Sequence, residues 1–146
     1  MTGVLRVLVP VDGAVPPLQA VQHVVDLVLR GLAVELHLLN VQAPVRGSAA
    51  MLIAKSALEA YHRDEGMKAL AGAVDALRVV GITPHLHVAV GPPGRMVLGF
   101  IARLGCGLVV MGTCGYGGGV AGAVMGSVAS DVVTGTSVPV TLLNAG

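Results

Sequence analysis

Five short apolar runs alternate with four helical stretches along this chain, and no other feature limits its fold as strongly. Leu5 to Val11 is apolar except at Arg6 and Pro10, as expected for a strand covered on both faces. Pro16 and Pro17 suit the first turn of a helix; Leu18, Val21, Val25 and Val28 form its stripe, and Gly31 stops it. Val34 to Asn40 reads as the second strand. A long, mostly helical segment follows from about Ala49 to Val80, with Met67, Leu70, Val74 and Leu77 on its core face and Gly81 as its stop. Ile82 to Val90 then alternates apolar and polar residues around Pro84, the pattern of a strand at a sheet edge. Val97, Phe100, Ile101 and Leu104 mark a third helix, Leu108 to Met111 a buried strand, Ser127 to about Thr134 a weak helix, and Val138 to Leu143 a last strand. Strands and helices in strict alternation predict a parallel α/β sheet in one domain over residues 1–146.

Composition narrows the setting. Of 146 residues, 54% are hydrophobic and 12% charged, so the strands must be covered on both sides, or a subunit interface must hide apolar surface, or both. Net charge is +1, with one Phe, two Tyr and no Trp, which leaves no basic, aromatic surface for nucleic acid. No charged residue occurs between Arg103 and Asp131, yet the GTCGYGGG cluster inside that stretch would break a lipid-exposed helix, so no membrane partner is expected. Two cysteines, Cys106 and Cys114, suit a reduced chain better than a disulfide framework. The opening MTGVLRVLVPVDG lacks a signal-peptide core, and the expected location is the cytoplasm.

The chemistry concentrates between Met111 and Val128. A buried strand gives way to Gly112-x-x-Gly115 and a glycine-rich loop, and Gly126-Ser127 then opens a helix. Glycines let backbone N–H groups approach a phosphate, and the first N–H groups of the helix add the positive end of its dipole. In a parallel sheet, ligands bind beyond the carboxyl ends of the strands where the strand order reverses. Asp12 follows the first strand, Val41 the second and the glycine loop the fourth. They converge on one cleft if the first and fourth strands are neighbours.

In series, VLVPVDG, VGPPGRMVLGFIARLGCGLVVMGT, the G-x-x-G…G-S loop and SVPVTLL make the chain resemble the universal stress protein family over nearly its whole length. The resemblance implies a doubly wound, Rossmann-like five-stranded sheet of order 3-2-1-4-5 and a homodimer paired through the last strand, Val138 to Leu143. It also implies an adenine nucleotide, ATP or AMP. Pro10, Val11, Asp12 and Val41 would hold the adenosine; Gly112, Gly115, Gly126 and Ser127, flanked by Met111 and Val128, would hold the phosphates. A divalent metal could accompany the phosphates, but none of its ligands can be assigned.

Two departures from the family pattern stand out. Tyr116 to Met125 makes the loop one residue longer than the family's usual spacing, which either bulges or shifts the helix start relative to Gly112. The same stretch contains no basic residue, and Cys114 takes a position that is often basic. A triphosphate would depend on backbone dipoles, a metal ion, or Arg46 or Arg95 folding over, and AMP needs less of that help.

Other motifs weigh less. Gly117-x-Gly119-x-x-Gly122 has the form of a dinucleotide fingerprint but the wrong placement, with no acid about 20 residues beyond it. The only lysines are Lys55 and Lys68, so there is no Walker-type P-loop, and no H-x-G-H element marks an adenylyl transferase. Asp12 reads as a ligand contact or as a turn former before Gly13. His85 and His87 share one strand face and could bind a metal with a third ligand, although solvated edge-strand histidines are the plainer reading. Cys114 reads as loop filler with redox reactivity as the alternative, and Cys106 as core. With no nucleophile–base pair visible, the expected function is a nucleotide-binding homodimeric stress-response regulator, not an enzyme. The alternative is a nucleotide-free interaction module with a vestigial cleft.

Overall fold

Alternation along the strands sorts their side chains onto two faces, and each face is roofed by its own helices. The computed structural model describes residues 3–12, 18–113 and 126–144. In chain order the elements are β1 (Leu5–Pro10), α1 (Leu18–Leu29), β2 (Val34–Gln42), α2 (Ser48–Met51), α3 (Lys55–Val79), β3 (His85–Val90), α4 (Pro93–Leu104), β4 (Leu108–Gly112), α5 (Ser127–Gly135) and β5 (Val140–Leu143). The five strands form one sheet in the order β3-β2-β1-β4-β5, all parallel, as the family resemblance implied. Val7, Val9, Leu36, Leu38 and Val110 pack under α1 and α3, against Val21, Val24, Leu70 and Leu77. Leu8, Leu39, Val109 and Met111 pack under α4 and α5, against Val97, Phe100, Ile101 and Val132. β1, β2 and β4 are therefore covered on both sides, which explains the consecutive apolar residues Val7–Val9, Leu38–Leu39 and Val109–Met111 at their centres.

The helix stops at Gly31 and Gly81 are as expected, with φ of 103° and 77°, a region other residues enter at a cost. Several boundaries differ. β2 runs on to Gln42, because its last residues pair with Ala89 and Val90, so Val41 lies in the strand and not after it. Ile82 to Pro84 is not strand: the Ile82 N–H is spent on the Leu77 carbonyl (3.0 Å), closing the end of α3, and Pro84 has no N–H to give. The Ala49–Val80 segment divides into α2 and α3, and α3 restarts from the Ala54 carbonyl, which accepts from Ala57 and Leu58. No glycine or proline marks that break, so periodicity runs straight through it.

The stripe on α3 needs one correction. Leu70 and Leu77 are fully buried, but Met67 is 43% exposed, because β3 is the sheet edge and no further strand among the described residues lies beyond it. At the other edge, β5 starts at Val140. The Pro139 carbonyl accepts from the Val109 N–H (3.0 Å), and all four β5 residues remain half-buried. No helix among the described residues is long and apolar enough to cross a membrane.

Candidate functional site

The carboxyl ends of β1, β2 and β4 meet where the strand order reverses, and the chain's polar contacts there hold the backbone in place. β1 and β4 are neighbours, with Val7 opposite Leu108 and Leu8 opposite Val109. Continued along the strands, that register sets Val11 and Asp12 level with Gly112 and Thr113. The Val11 N–H donates to the Leu39 carbonyl (2.8 Å), and the Val11 carbonyl accepts from the Asn40 side-chain amide (2.7 Å). Asn40 is 1% exposed, and its own oxygen accepts from the Gln42 amide (2.6 Å). This buried amide fixes the turn out of β1 at the point where Asp12 emerges. Sequence reading passed over it, although an Asn directly after the apolar pair Leu38–Leu39 is a visible signal.

Beside that turn lies a cavity of about 410 Å³ lined by Val41, Ala43, Pro92, Pro93, Gly94, Ser127, Val128 and Asp131. Two helices begin at its wall. Pro92 caps α4 in an extended conformation with Pro93 in the first turn, and Gly126, which has no side chain to offer as a cap, precedes α5 in an extended conformation. The first N–H groups of a helix have no partner within it, so the cavity receives the positive ends of two helix dipoles. Gly94 permits their close approach, since a Cβ there would meet the Asp131 carboxylate at 2.5 Å. Among the described residues no Lys or Arg lines the cavity, and Asp131 adds an acid that sequence reading did not single out.

Of the residues named from sequence, Val41, Ser127 and Val128 share this cavity. Pro10 is buried, and Val11 and Met111 pack their side chains into the core. Asp12 is partly exposed at the end of β1, and Gly112 ends β4. Gly126 donates its N–H to the Thr113 carbonyl, while the Thr113 N–H bonds to the Leu143 carbonyl (3.0 Å). Gly115 and Cys114, like the rest of 114–125, fall outside the described residues.

The histidines of β3 sit at the other end of the strands and are not merely solvated. His85 is exposed, but His87 Nε2 lies 2.9 Å from His37 Nδ1, and His37 Nε2 lies 2.7 Å from Glu35 Oε2. Burial, with His37, His85 and Arg103 nearby, pushes His87 below the usual imidazole value. The hydrogen bond from His37 holds Glu35 below the usual carboxylate value, against a smaller burial effect. On the same face, Cys106 is a buried free thiol whose pKa burial raises.

The universal stress protein family model matches residues 4–144. The fold is similar to that of the hypothetical protein MJ0577, with a TM-score of 0.80 and 21% identity over 97% of this chain and 96% of that one. A universal stress protein in complex with cAMP superposes with a TM-score of 0.71 at 19% identity, over 99% of this chain and 100% of the other. An Arabidopsis thaliana protein of the same family, with AMP bound, gives 0.68 at 16% identity, over 97% and 92%. No match is found among curated proteins. With its sheet order, its reversal-point cleft and a family match over nearly all its length, the chain belongs to the universal stress protein family.

Proposed function

We propose that this chain binds an adenine nucleotide, AMP or ATP, in the cleft between β1 and β4, and that it works as a homodimeric regulator. The observation that carries this reading is the contact between Gly126 and Thr113. The base of the glycine loop is closed there, immediately before the first amides of α5. The start of α5 is therefore tied to the end of β4 beside Gly112, which supports a helix start in register with that strand. In this reading the amides of Ser127 and Val128, with the Ser127 hydroxyl, donate to phosphate, and Asp12 accepts from ribose or adenine. Pro10, Val11, Met111 and Gly112 contribute backbone only, and Gly115 completes the loop. Two structural neighbours, one with AMP and one with cAMP, support the ligand class.

Asp131 and the lack of a described cation around the cavity favour few phosphates, so AMP should bind more tightly than ATP unless a divalent metal accompanies the triphosphate. The half-buried apolar edge of β5 supports pairing with a second copy, and sedimentation is expected to give twice the chain mass of 14.6 kDa. The nucleotide would tie the glycine loop to the Asp12 turn, and the changed surface would be read by another protein. A reduced, cytoplasmic setting agrees with the free thiol of Cys106.

Isothermal titration with AMP, ATP and cAMP tests the binding. The wild type should bind AMP, and Ser127→Asp, which sets a carboxylate at the first amides of α5, should weaken it about a hundredfold or more, roughly 2.7 kcal/mol. Asp131 also favours a rival reading, a nucleotide-free interaction module. Absence of heat with all three ligands, from a folded dimer, would establish that rival.

A further inference from the structure

The register of β2 on β3 assembles a second polar cluster at the amino ends of the strands, opposite the nucleotide cleft. His37 pairs with His85, so their side chains leave the same face, and Glu35 stands two residues before His37 on that face. The His37 and His85 rings stack with centroids 4.7 Å apart, and those of His37 and His87 lie 5.2 Å apart. One ligand atom from each of Glu35, His37 and His85 falls within 4.8 Å of the others. His37 is 5% exposed and held on both sides, whereas His85 is open to solvent and Glu35 is about a third exposed. A rigid inner ligand with two accessible outer ones provides both preorganisation and a route in for an ion.

We propose that Glu35, His37 and His85 form a binding site for a divalent transition-metal ion of the zinc class, with His87 orienting the His37 ring. Two imidazoles and one carboxylate suit Zn²⁺, Co²⁺ or Ni²⁺ and are a poor set for Mg²⁺ or Ca²⁺, which prefer oxygen throughout. A neutral imidazole keeps one lone pair free. In the loaded site His37 carries its proton on Nδ1 and donates it to His87 Nε2, leaving its own Nε2 lone pair for the ion beside Glu35. A ligating histidine ordinarily has such a partner for its second nitrogen. Metal–ligand bonds of about 2.1 Å put neighbouring ligand atoms about 3.4 Å apart in a tetrahedron. Glu35 must therefore withdraw by about 0.7 Å from its present 2.7 Å contact, and His85 must swing inward. Both are exposed enough to do so.

Two cations face the cluster and oppose the ion. Arg6 Nε contacts Glu35 Oε2 at 3.1 Å while its Nη1 holds the Leu104 carbonyl (3.1 Å), and Arg103 lies over the Phe100 ring that packs against His87. Arg6 has that second acceptor at the carboxyl end of α4 and can keep it when Glu35 turns to a metal. Water or a small anion completes the coordination. The nucleotide reading plays no part in this inference.

The test uses the chelator-treated full chain titrated with ZnCl₂, and separately with MgCl₂ as a control. One Zn²⁺ per chain is expected, with no heat from Mg²⁺. His85→Ala and Glu35→Gln should each weaken Zn²⁺ binding about a hundredfold or more, since even outer partners of a ligand cost about 10- to 100-fold. His23→Gln, remote on α1, should leave it unchanged. His87→Phe should weaken it about tenfold while His87→Gln, whose amide oxygen still accepts from His37, restores it. Co²⁺ should give the visible absorption of a nitrogen–oxygen site without a thiolate band. Equal zinc affinity in the wild type and both ligand variants, no binding by the wild type, or a thiolate band implicating Cys106 would overturn the proposal.

Discussion

Replacing Leu38 by alanine is expected to destabilise the protein by about 2–5 kcal/mol, the range for deleting a fully buried leucine side chain. Leu38 has no exposed surface and lies on β2, with β1 on one side and β3 on the other. Its face meets α1 and α3, where Val7, Val9, Val24 and Leu70 are also fully buried. Strands in the middle of a sheet relax poorly, because any movement must be passed to both neighbours, so the cavity stays open and the upper half of that range applies. The Tm should fall by on the order of 10 °C, at about 2–4 °C per kcal/mol for a chain of this size. Leu29→Ala, at a site 73% exposed on the last turn of α1, should change stability by no more than about 0.5 kcal/mol. Urea denaturation of both variants checks the contrast. A Leu38→Ala midpoint within error of the wild type would mean that this core is not packed as described.

How much of this was legible in the sequence depends on distance along the chain. Apolar runs and glycine stops located every strand and most helices, because those signals are local. The edge status of β3 was readable from Pro84 and from the alternation around it. The division between α2 and α3 was not, since neither residue propensity nor spacing changes there. The cleft was half legible: Gly126-Ser127 announces a helix start, but Asp131 and Gly94 become neighbours only when α4 and α5 pack together. The Glu35–His37–His85 cluster was the least accessible. Both E-x-H in β2 and H-x-H in β3 stand in plain view, yet only the register that sets His37 beside His85 turns two weak patterns into one. A one-residue slip would have sent those histidines to opposite faces.

Gly66→Ala, in the middle of α3, is expected to destabilise the protein by about 1–3 kcal/mol, reversing the gain of about 1 kcal/mol that helix propensity alone would give. A Cβ at Gly66 would meet both γ-methyls of Val88 at 2.5 Å and its Cβ at 3.0 Å. Val88 has no good escape. Its branched side chain is stiff at χ1 and stands on β3, so rotation exchanges one methyl for another. Either α3 lifts from the sheet or β3 tips away from β2, and both loosen the packing of Leu70 and Leu77 one and three turns further along. Gly72→Ala in the same helix is the control, because the nearest foreign atom to its new Cβ is Leu18 Cδ2 at 4.0 Å. That variant should gain about 1 kcal/mol. Adding Val88→Ala to Gly66→Ala removes the colliding methyls, and the pair should recover much of the loss, a coupling of about 0.5–3 kcal/mol. Urea midpoints for the wild type, the three single variants Gly66→Ala, Gly72→Ala and Val88→Ala, and the double variant separate a steric cause from a backbone one. If Gly66→Ala and Gly72→Ala stabilise equally, α3 does not rest against β3 at this point. If Val88→Ala fails to rescue Gly66→Ala, the glycine is required for something other than room.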